Sequence, residues 1–287
     1  MDFAQIRRLT IVALFSDDRL ADQLVLKGGN ALSLVYRVSP RTSLDLDFSL
    51  EGDFPDFEEA RKRLFRALRD RFDSAGYAVF DEQLEPKPRL EGEDERPWWG
   101  GYELKFKLVE KAKFQALQNH PRKLQIDALV VGPRQQRTFT VEFSKYEHTA
   151  GKVERELDYY TIYVYTPEMI VAEKLRAICQ QMPAYPLRGH RRARARDFYD
   201  IHRAITQLGI DLTTRENHEL VQNIFAAKRV PLTLLRDVRN QREFHRPDWP
   251  DVVASVPESL QEFDFYFDFV VGQIGRLKSL GDEEAPP

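Results

Sequence analysis

The spacing of apolar residues divides the chain into a first half rich in strands and a second half rich in helices. Residues 102–109 and 138–143 alternate apolar and polar side chains, which predicts two strands. From about Thr166 onward, apolar residues recur at helical spacing. On the last long helix they form a stripe of Phe263, Phe267, Val270, Val271 and Ile274. The pattern predicts domains at 1–160 and 161–280 and a disordered tail at 281–287.

The first half also contains helical and loop patterns. Residues 1–20 predict a packing helix, and residues 56–75 predict an amphipathic helix rich in arginine and leucine. The acidic stretch 81–96 contains two prolines and a glycine, so it predicts an exposed loop between strands.

A pair of glycines follows the short apolar stretch Leu24-Val25-Leu26, which predicts a strand. The sequence Lys27-Gly28-Gly29-Asn30 then predicts a turn into a helix that ends near Tyr36. Paired glycines permit positive φ and close backbone approach, and a helix start offers N–H groups to a phosphate, with Asn30 as a candidate cap. Such a turn is more often a plain tight turn, but an acidic strand follows 16 residues after Gly29.

That strand carries alternating carboxylates. Asp45 and Asp47 share one face while their leucine and phenylalanine neighbours point to the other. If the extended conformation begins at Arg41, then Arg41 and Ser43 join the same face. Adjacent carboxylates repel each other unless a cation neutralises them, and Mg²⁺ suits one or two carboxylates plus substrate phosphates. The strand therefore predicts a Mg²⁺ site.

Asp127 is the candidate third carboxylate. It lies in the apolar run 123–131, which predicts a buried strand closed by Gly132-Pro133. A buried aspartate needs a metal ion or a basic neighbour. The alternative is an aspartate on an edge strand that faces solvent or binds an arginine.

Two helical blocks downstream carry further candidates. Pro167–Ile178 predicts a helix with Lys174 at the margin of its apolar stripe, where the side chain could reach into a cleft or be an ordinary solvated lysine. Arg196–Ile201 predicts the start of another helix with Asp197 and Asp200 on one face. Capping of this helix and a salt bridge to an arginine are sufficient alternatives for the two acids.

Arginines crowd the approach to the second block. Six occur between residues 188 and 203, at 188, 191, 192, 194, 196 and 203. The guanidinium group suits phosphate, so this segment predicts contact with a nucleotide or an RNA backbone, and a solvated loop is the alternative.

Composition narrows the class of protein. The chain has 287 residues, 42% hydrophobic content, and a net charge of −3, which argues against a general nucleic-acid coating protein. Its one cysteine, Cys179, cannot form an internal disulfide, and neither a signal peptide nor a run of membrane-spanning length is evident. We therefore expect a cytoplasmic protein that does not contact a membrane.

Taken together, these blocks resemble a known family. A strand, a Gly-Gly turn, a helix, an Asp-x-Asp strand and a later single Asp resemble the polymerase-β-like nucleotidyltransferase superfamily. The blocks at 27–32, 41–47, 172–177 and 196–200 resemble, in this order, the AbiEii/AbiGii abortive-infection toxin family, over roughly residues 20–205. Asn30 departs from the hydroxyl-bearing residue that is common at its position in that family.

The resemblance implies an α/β (α+β) fold with a mixed sheet and flanking helices, followed by a helical C-terminal domain that completes the active site. It implies Mg²⁺ as cofactor, held by Asp45, Asp47 and Asp127, with Lys174 and Asp197 as further catalytic residues. The implied nucleotide-binding residues are Lys27, Gly28, Gly29, Asn30, Arg41, Ser43, Lys174, Arg196 and Asp200.

The implied activity is transfer of a nucleoside monophosphate from a nucleoside triphosphate to a hydroxyl, with a tRNA 3′ end as the expected acceptor. The chain would act as a toxin in an abortive-infection or type IV toxin–antitoxin system, with a cognate antitoxin as a possible partner. Two alternatives stay open: a nucleotidyltransferase that modifies small molecules such as antibiotics, and a non-catalytic nucleotide-binding protein of the same fold.

Overall fold

A computed structural model describes residues 1–40, 45–87, 98–132, 135–185 and 191–277. The chain forms two compact units, one from residues 1–28 and 43–164 and the other from residues 29–42 and 165–287. The predicted division at 1–160 and 161–280 assigns residues 29–42 to the first domain, whereas they belong to the second unit. Arg41, Ser43 and the predicted tail at 281–287 lie outside the described residues.

The first unit contains a mixed seven-stranded sheet within the described residues. The strands are β1 (Val25–Lys27), β2 (Leu46–Ser49), β3 (Tyr77–Lys87), β4 (Gly101–Glu110), β5 (Phe139–Ser144), β6 (Val153–Leu157) and β7 (Tyr160–Val164). Their order across the sheet is β3-β4-β5-β2-β1-β7-β6. The pairs β2–β5 and β1–β7 are parallel and the others are antiparallel.

Helices occur in both units. They are α1 (Phe3–Phe15), α2 (Asp18–Ala21), α3 (Gly28–Asn30) with a π-helical continuation at Ala31–Val35, α4 (Phe57–Ser74), α5 (Lys111–Leu117), α6 (Pro121–Asp127), α7 (Pro167–Cys179), α8 (Ala195–Leu208), α9 (Arg215–Ala227), α10 (Arg242–His245), α11 (Trp249–Ala254) and α12 (Phe263–Arg276). Short 3₁₀ segments cover Leu232–Asn240 and Arg246–Asp248. None of the helices in the described part of the chain is long and apolar enough to cross a membrane.

Local sequence explains where several helices begin. Asp2 and Gln5 form a capping box at α1, and Asp56 accepts a hydrogen bond from the Glu59 amide at α4. Thr166 caps α7 in the same way and is followed by Pro167, which is favoured in a first helical turn. These side chains satisfy amides that a helix start leaves without an internal partner.

One face of the sheet is apolar and lies beneath α1 and α4. Phe48 and Phe106 are fully buried there, and Phe106 contacts Phe72 of α4 with ring centroids 5.8 Å apart. Phe15 of α1 lies 6.1 Å from Phe48 by the same measure. Burial of these large aromatic groups is the main stabilising contribution to the first unit.

The opposite face is polar along a row that crosses four strands. Lys27 on β1 is in register with Asp47 on β2, Asp47 with Glu142 on β5, and Glu142 with Glu103 on β4. Since register partners on neighbouring strands point to the same side of a sheet, these four side chains form a continuous charged row.

The second unit has its own aromatic core. Phe198 of α8 contacts Phe263 and Phe267 of α12, with ring centroids 5.6 and 5.1 Å apart. Residues 29–42 belong here because Tyr36 donates a hydrogen bond to the Tyr165 carbonyl oxygen at 2.7 Å. The Arg203 side chain similarly donates to the Val38 carbonyl oxygen at 3.1 Å.

The predicted strands at 102–109 and 138–143 and the helices at 56–75 and 167–178 are confirmed within one or two residues. The predicted loop at 81–96 and the predicted Asn30 cap are wrong. Residues 81–87 of the predicted loop continue β3, because they pair with β4 beyond a bulge after Phe80, and residues 88–96 lie outside the described residues. Asn30 lies inside a helix with helical backbone angles and makes no side-chain cap.

Candidate active site

The carboxylates of the acidic strand stand on an apolar support. Asp47 lies in β2 between Leu46 and Phe48, both of which are fully buried, while Asp47 itself is half-buried. Asp45 directly precedes the strand and is also half-buried. The predicted alternation along β2 is therefore confirmed, since the apolar side chains fill the core and Asp47 points away from it.

Gly28 brings the backbone close to Asp47. Its φ is +70°, a backbone conformation that residues other than glycine rarely adopt. A Cβ added at Gly28 would lie 2.8 Å from Asp47 Oδ2. Only glycine therefore leaves room beside this carboxylate, which meets the expectation of a close approach at the glycine turn.

Lys27 is buried beside the same strand. Its Nζ lies 3.5 Å from Glu147 Oε1 and 3.3 Å from Ser144 Oγ. Both side chains of the Lys27–Glu147 pair are less than 10% exposed. No sequence pattern indicates Glu147, because it follows β5 in a loop and its partner is 120 residues away.

The predicted role of Asp127 depends on a strand that does not form. Asp127 is the exposed last residue of α6, so the strand prediction for residues 123–131 is wrong. Leu124 and Ala128 lie four residues apart and pack with Phe80 and Val109 in a small apolar cluster. That spacing suits a helix as well as a buried strand, which explains the error.

The acid that the sheet places next to Asp47 is Glu142 on β5. It binds Lys87 at 2.5 Å, and the same ammonium group binds Glu103 at 2.9 Å. Among the described residues, no three His, Cys, Asp or Glu side chains are grouped so that they could hold a metal ion. The predicted trio of Asp45, Asp47 and Asp127 is therefore not assembled in this structure.

The two carboxylates of the acidic strand still suit Mg²⁺ in their chemistry. Asp45 and Asp47 offer hard oxygen ligands, and Mg²⁺ is commonly bound by one or two carboxylates together with substrate phosphates. The room that Gly28 leaves beside the Asp47 carboxylate is consistent with a Mg²⁺ ion bound there.

The second unit holds a buried ion cluster. The Lys174 ammonium contacts Asp197 Oδ1 at 2.9 Å and Asp200 Oδ2 at 2.8 Å. The Lys174 side chain is 8% exposed and both aspartates are fully buried. Lys174 therefore lies in the interior and not at the margin of the apolar stripe of its helix, and it is not a solvated lysine.

Arg194 completes this cluster through its bond to Asp197 Oδ2. Burial acts to raise the pKa of Asp197, but the positive charges of Arg194 and Lys174 outweigh it and hold that pKa well below its ordinary value. Asp197 is therefore ionised at all physiological pH values. A carboxylate of such low basicity is a poor general base.

The remaining predicted residues of this unit fall in two groups. Gly29 and Asn30 lie in α3, where Asn30 is fully buried. Arg196 is exposed in the first turn of α8, and its positive charge contributes to lowering the pKa of Asp197. Of the arginine-rich stretch, residues 186–190 lie outside the described part of the chain.

The described end of the arginine-rich stretch is held in place. Arg191 stacks over the Phe244 ring at 4.3 Å, and the Arg192 amide donates to Gln181 Oε1 at 2.8 Å. The Arg194 amide donates to His245 Nδ1 at 3.0 Å. The segment from Arg191 to Arg194 is therefore an ordered basic segment and not a free loop.

A mixed α/β fold with a glycine turn against an Asp-x-Asp strand is the arrangement of a nucleotidyltransferase. The family described as "Nucleotidyl transferase AbiEii toxin, Type IV TA system" matches residues 10–269. The chain belongs to this family and is a nucleotidyltransferase of the toxin class. The resemblance inferred from the four sequence blocks is thereby confirmed.

Solved structures show weaker likeness. The chain is similar to a candidate nucleotidyltransferase from H. pylori at 16% identity and a TM-score of 0.49, covering 99% of this chain and 97% of that one. It is also similar to JHP933 from Helicobacter pylori at 18% identity and a TM-score of 0.47, covering 96% of this chain and 91% of that one. The antibiotic-resistance factor ANT(2'')-Ia is similar at 16% identity and a TM-score of 0.34, covering 80% of this chain and 93% of that one. None of the curated proteins compared with the chain matches it.

Proposed function

We propose that the chain transfers a nucleoside monophosphate from a nucleoside triphosphate to a hydroxyl group at the 3′ end of tRNA, in a reaction that requires Mg²⁺. In this proposal it acts as the toxin of a type IV pair with a cognate antitoxin and serves abortive infection. The observation that carries the proposal is the approach of the Gly28 backbone to the Asp47 carboxylate in a chain of this family.

Asp45 and Asp47 would hold Mg²⁺, which when bound neutralises charge on the phosphates and on the leaving pyrophosphate. Gly28 would keep the space beside Asp47 clear for the triphosphate. Lys27 lies next to Asp47 in register, and its pairing with Glu147 balances its charge, which supports a role in fixing the glycine turn. Arg41 and Ser43 stay predictions, because they lie outside the described residues.

For Lys174 and Asp197 we propose a role in nucleotide binding. The low basicity of Asp197 favours a positioning role for its carboxylate over proton removal. Asp200 supports Lys174 from the other side, and Ser39 Oγ lies 3.5 Å from its Oδ1. In this proposal Gly29 and Asn30 serve the triphosphate as the family resemblance implies.

An RNA acceptor is favoured by the ordered basic segment at the start of α8. The side chains of Arg192 and Arg196 are exposed there. Because the backbone of this segment is held by Gln181 and His245, their guanidinium groups can contact phosphates without the cost of ordering a loop.

The direct test incubates the protein with Mg²⁺, each labelled nucleoside triphosphate in turn and a total tRNA pool. We expect label on tRNA, and we expect Asp45→Ala to remove it. Asp127→Asn is the matched control, since Asp127 is an exposed helix end and its loss should leave transfer unchanged. Label only on small acceptors would refute the tRNA proposal, and nucleotide binding without transfer would refute catalysis.

A further inference from the structure

Helix α8 begins without a cap of its own. Arg194 is its N-cap residue, and the Arg194 side chain makes no capping hydrogen bond. The first amides of a helix have no partner inside the helix, so a buried helix start needs acceptors from elsewhere in the chain. Asp197 lies in this first turn, so the way the turn is held decides where its carboxylate points.

The acceptor comes from the last residue of α10, His245, which lies 51 residues later in the chain. His245 Nδ1 accepts the hydrogen bond from the Arg194 amide at 3.0 Å. Asp248, three residues further on, lies near the Ala195 amide, which acts to lower the Asp248 pKa against the larger effect of burial. His245 thus supplies the acceptor for the amide of the N-cap residue of α8.

His245 is placed so that only one ring nitrogen has a partner. The side chain is fully buried and its ring contacts Phe198 and Phe244, with centroids 5.2 and 5.0 Å apart. Because Nδ1 accepts, the neutral ring carries its proton on Nε2. Nε2 is buried and has no hydrogen-bond partner among the described residues. Among the described residues, the imidazole ring of His245 therefore makes its hydrogen bond through Nδ1 alone.

The hydrogen bond at Nδ1 is connected to the ion cluster by a short path. The residue whose amide it holds, Arg194, binds Asp197 Oδ2 through its own side chain. Asp197 Oδ1 in turn contacts the Lys174 ammonium at 2.9 Å. A change at the Arg194 backbone would therefore move both the arginine and the carboxylate that orient Lys174.

We infer that His245 is a positioning residue of the nucleotide site, which holds Arg194, Asp197 and Lys174 in their functional arrangement through Nδ1. The inference rests on the proposed role of Lys174 and Asp197 in nucleotide binding. His245 does not touch the nucleotide in this scheme.

Three substitutions separate the acceptor from the bulk of the ring. In His245→Asn, the side-chain oxygen lies as many bonds from the backbone as Nδ1 does, so the bond to the Arg194 amide is kept. In His245→Gln, the oxygen lies at the distance of Nε2, so that bond is lost. His245→Leu fills the apolar surroundings but offers no acceptor.

We expect His245→Gln and His245→Leu to weaken binding of the Mg²⁺ nucleoside triphosphate and to lower kcat/KM for transfer by about 10- to 100-fold, because a small misplacement is sufficient for such a loss. His245→Asn should stay within about threefold of the wild-type chain, which is below the tenfold step of 1.4 kcal/mol. Binding is measured by calorimetry, and thermal unfolding of each variant is recorded alongside.

His202→Leu is the matched control. His202 lies on α8 and, like His245, contacts aromatic rings, but its Nδ1 has no hydrogen-bond partner in the described residues. Its replacement should leave nucleotide binding unchanged. Should His245→Leu fail to fold, the pair of His245→Asn and His245→Gln still decides, since the two differ only in where the acceptor lies.

Equal behaviour of His245→Asn and His245→Gln, whether both are active or both impaired, would overturn the inference. A wild-type chain that binds triphosphate but transfers nothing would refute the proposed reaction alone, because the binding titrations would still test His245. A wild-type chain that binds no triphosphate would refute both.

Discussion

The acids of the acidic strand in the first unit and those of the ion cluster in the second unit differ in how deeply they are buried. In the first unit, Asp45 and Asp47 are half-buried, and the absence of a side chain at Gly28 leaves room beside the Asp47 carboxylate. In the second unit, Lys174, Asp197 and Asp200 are buried and bind one another. The acids of the two motifs therefore differ in burial, since those of the first unit are half-buried and those of the second unit are fully buried.

A sequence motif alone does not distinguish residues that act in the reaction from residues that stabilise the fold. The difference in burial allows substitutions to distinguish them. Removing a half-buried carboxylate should change chemistry with little effect on folding. Removing one member of a buried ion cluster leaves a charge without its partner and should change folding first. The following predictions test this division, in order of decreasing effect.

Lys174→Met should lower the free energy of unfolding by about 3–5 kcal/mol, because Asp197 and Asp200 would keep their buried charges without the ammonium group. Urea unfolding followed by circular dichroism measures this change. Lys62→Met on α4 removes an exposed lysine and should change stability by less than about 0.5 kcal/mol. A loss of less than 1 kcal/mol on Lys174→Met would contradict the buried cluster.

Asp47→Asn should lower the rate of nucleotide transfer by about 100- to 1,000-fold, as expected when a group that stabilises transition-state charge is removed. The unfolding free energy should stay the same or rise, since a repulsive neighbour of Asp45 is lost. Rates and urea unfolding on the same preparation compare the two effects. Parallel losses of stability and activity would show that Asp47 is structural.

His245 should make the wild-type chain less stable as the pH falls. Burial lowers the pKa of His245 to about 4 from its ordinary 6.5, despite the opposing charge of Asp197. Between these values the unfolded chain binds a proton that the folded chain does not, so the unfolding free energy falls with falling pH, by about 3 kcal/mol at most.

Unfolding of the wild-type chain and of His245→Asn at pH 7 and pH 4.5 isolates this contribution, because other histidines titrate equally in both proteins. The variant should lose less stability over this interval. An equal loss in both proteins would mean that His245 is protonated in the folded chain.

Gly28→Ala should lower stability by about 1–2 kcal/mol and transfer by about tenfold, since alanine is strained at a φ of +70° and its Cβ would displace Asp47. Gly76→Ala is the control, because Gly76 has a φ of +84° with nothing within 4 Å of an added Cβ. It should show a similar loss of stability and full activity. If both variants transfer equally well, the contact with Asp47 has no functional role.

Local patterns were sufficient for much of the architecture. Alternation along 102–109 and helical spacing along 167–178 gave elements close to the observed β4 and α7. The glycine turn and the acidic strand are both predictable from the sequence. A positive φ depends on the glycine itself, and the alternation depends on residues two positions apart. In each case, the physical cause operates within a few residues.

The wrong predictions of secondary structure fall where the local sequence is compatible with two different elements. The apolar run around Asp127 has residues spaced for one helix face as well as for a buried strand, and its packing against Phe80 and Val109 selects the helix. The stretch 81–87 is acidic and contains Pro86, yet pairing with β4 makes it a strand. Tertiary partners overrode local preference in both places.

The amino-acid order by itself determined the family, the glycine turn, and the alternating acids of β2, because these depend on short-range geometry. The tertiary structure alone decided that Asp127 stands apart on an exposed helix end, that Lys174 is enclosed by two aspartates, and that His245 caps a helix 51 residues away. Burial and hydrogen bonding between distant residues are properties of the folded chain, and no local spacing encodes them.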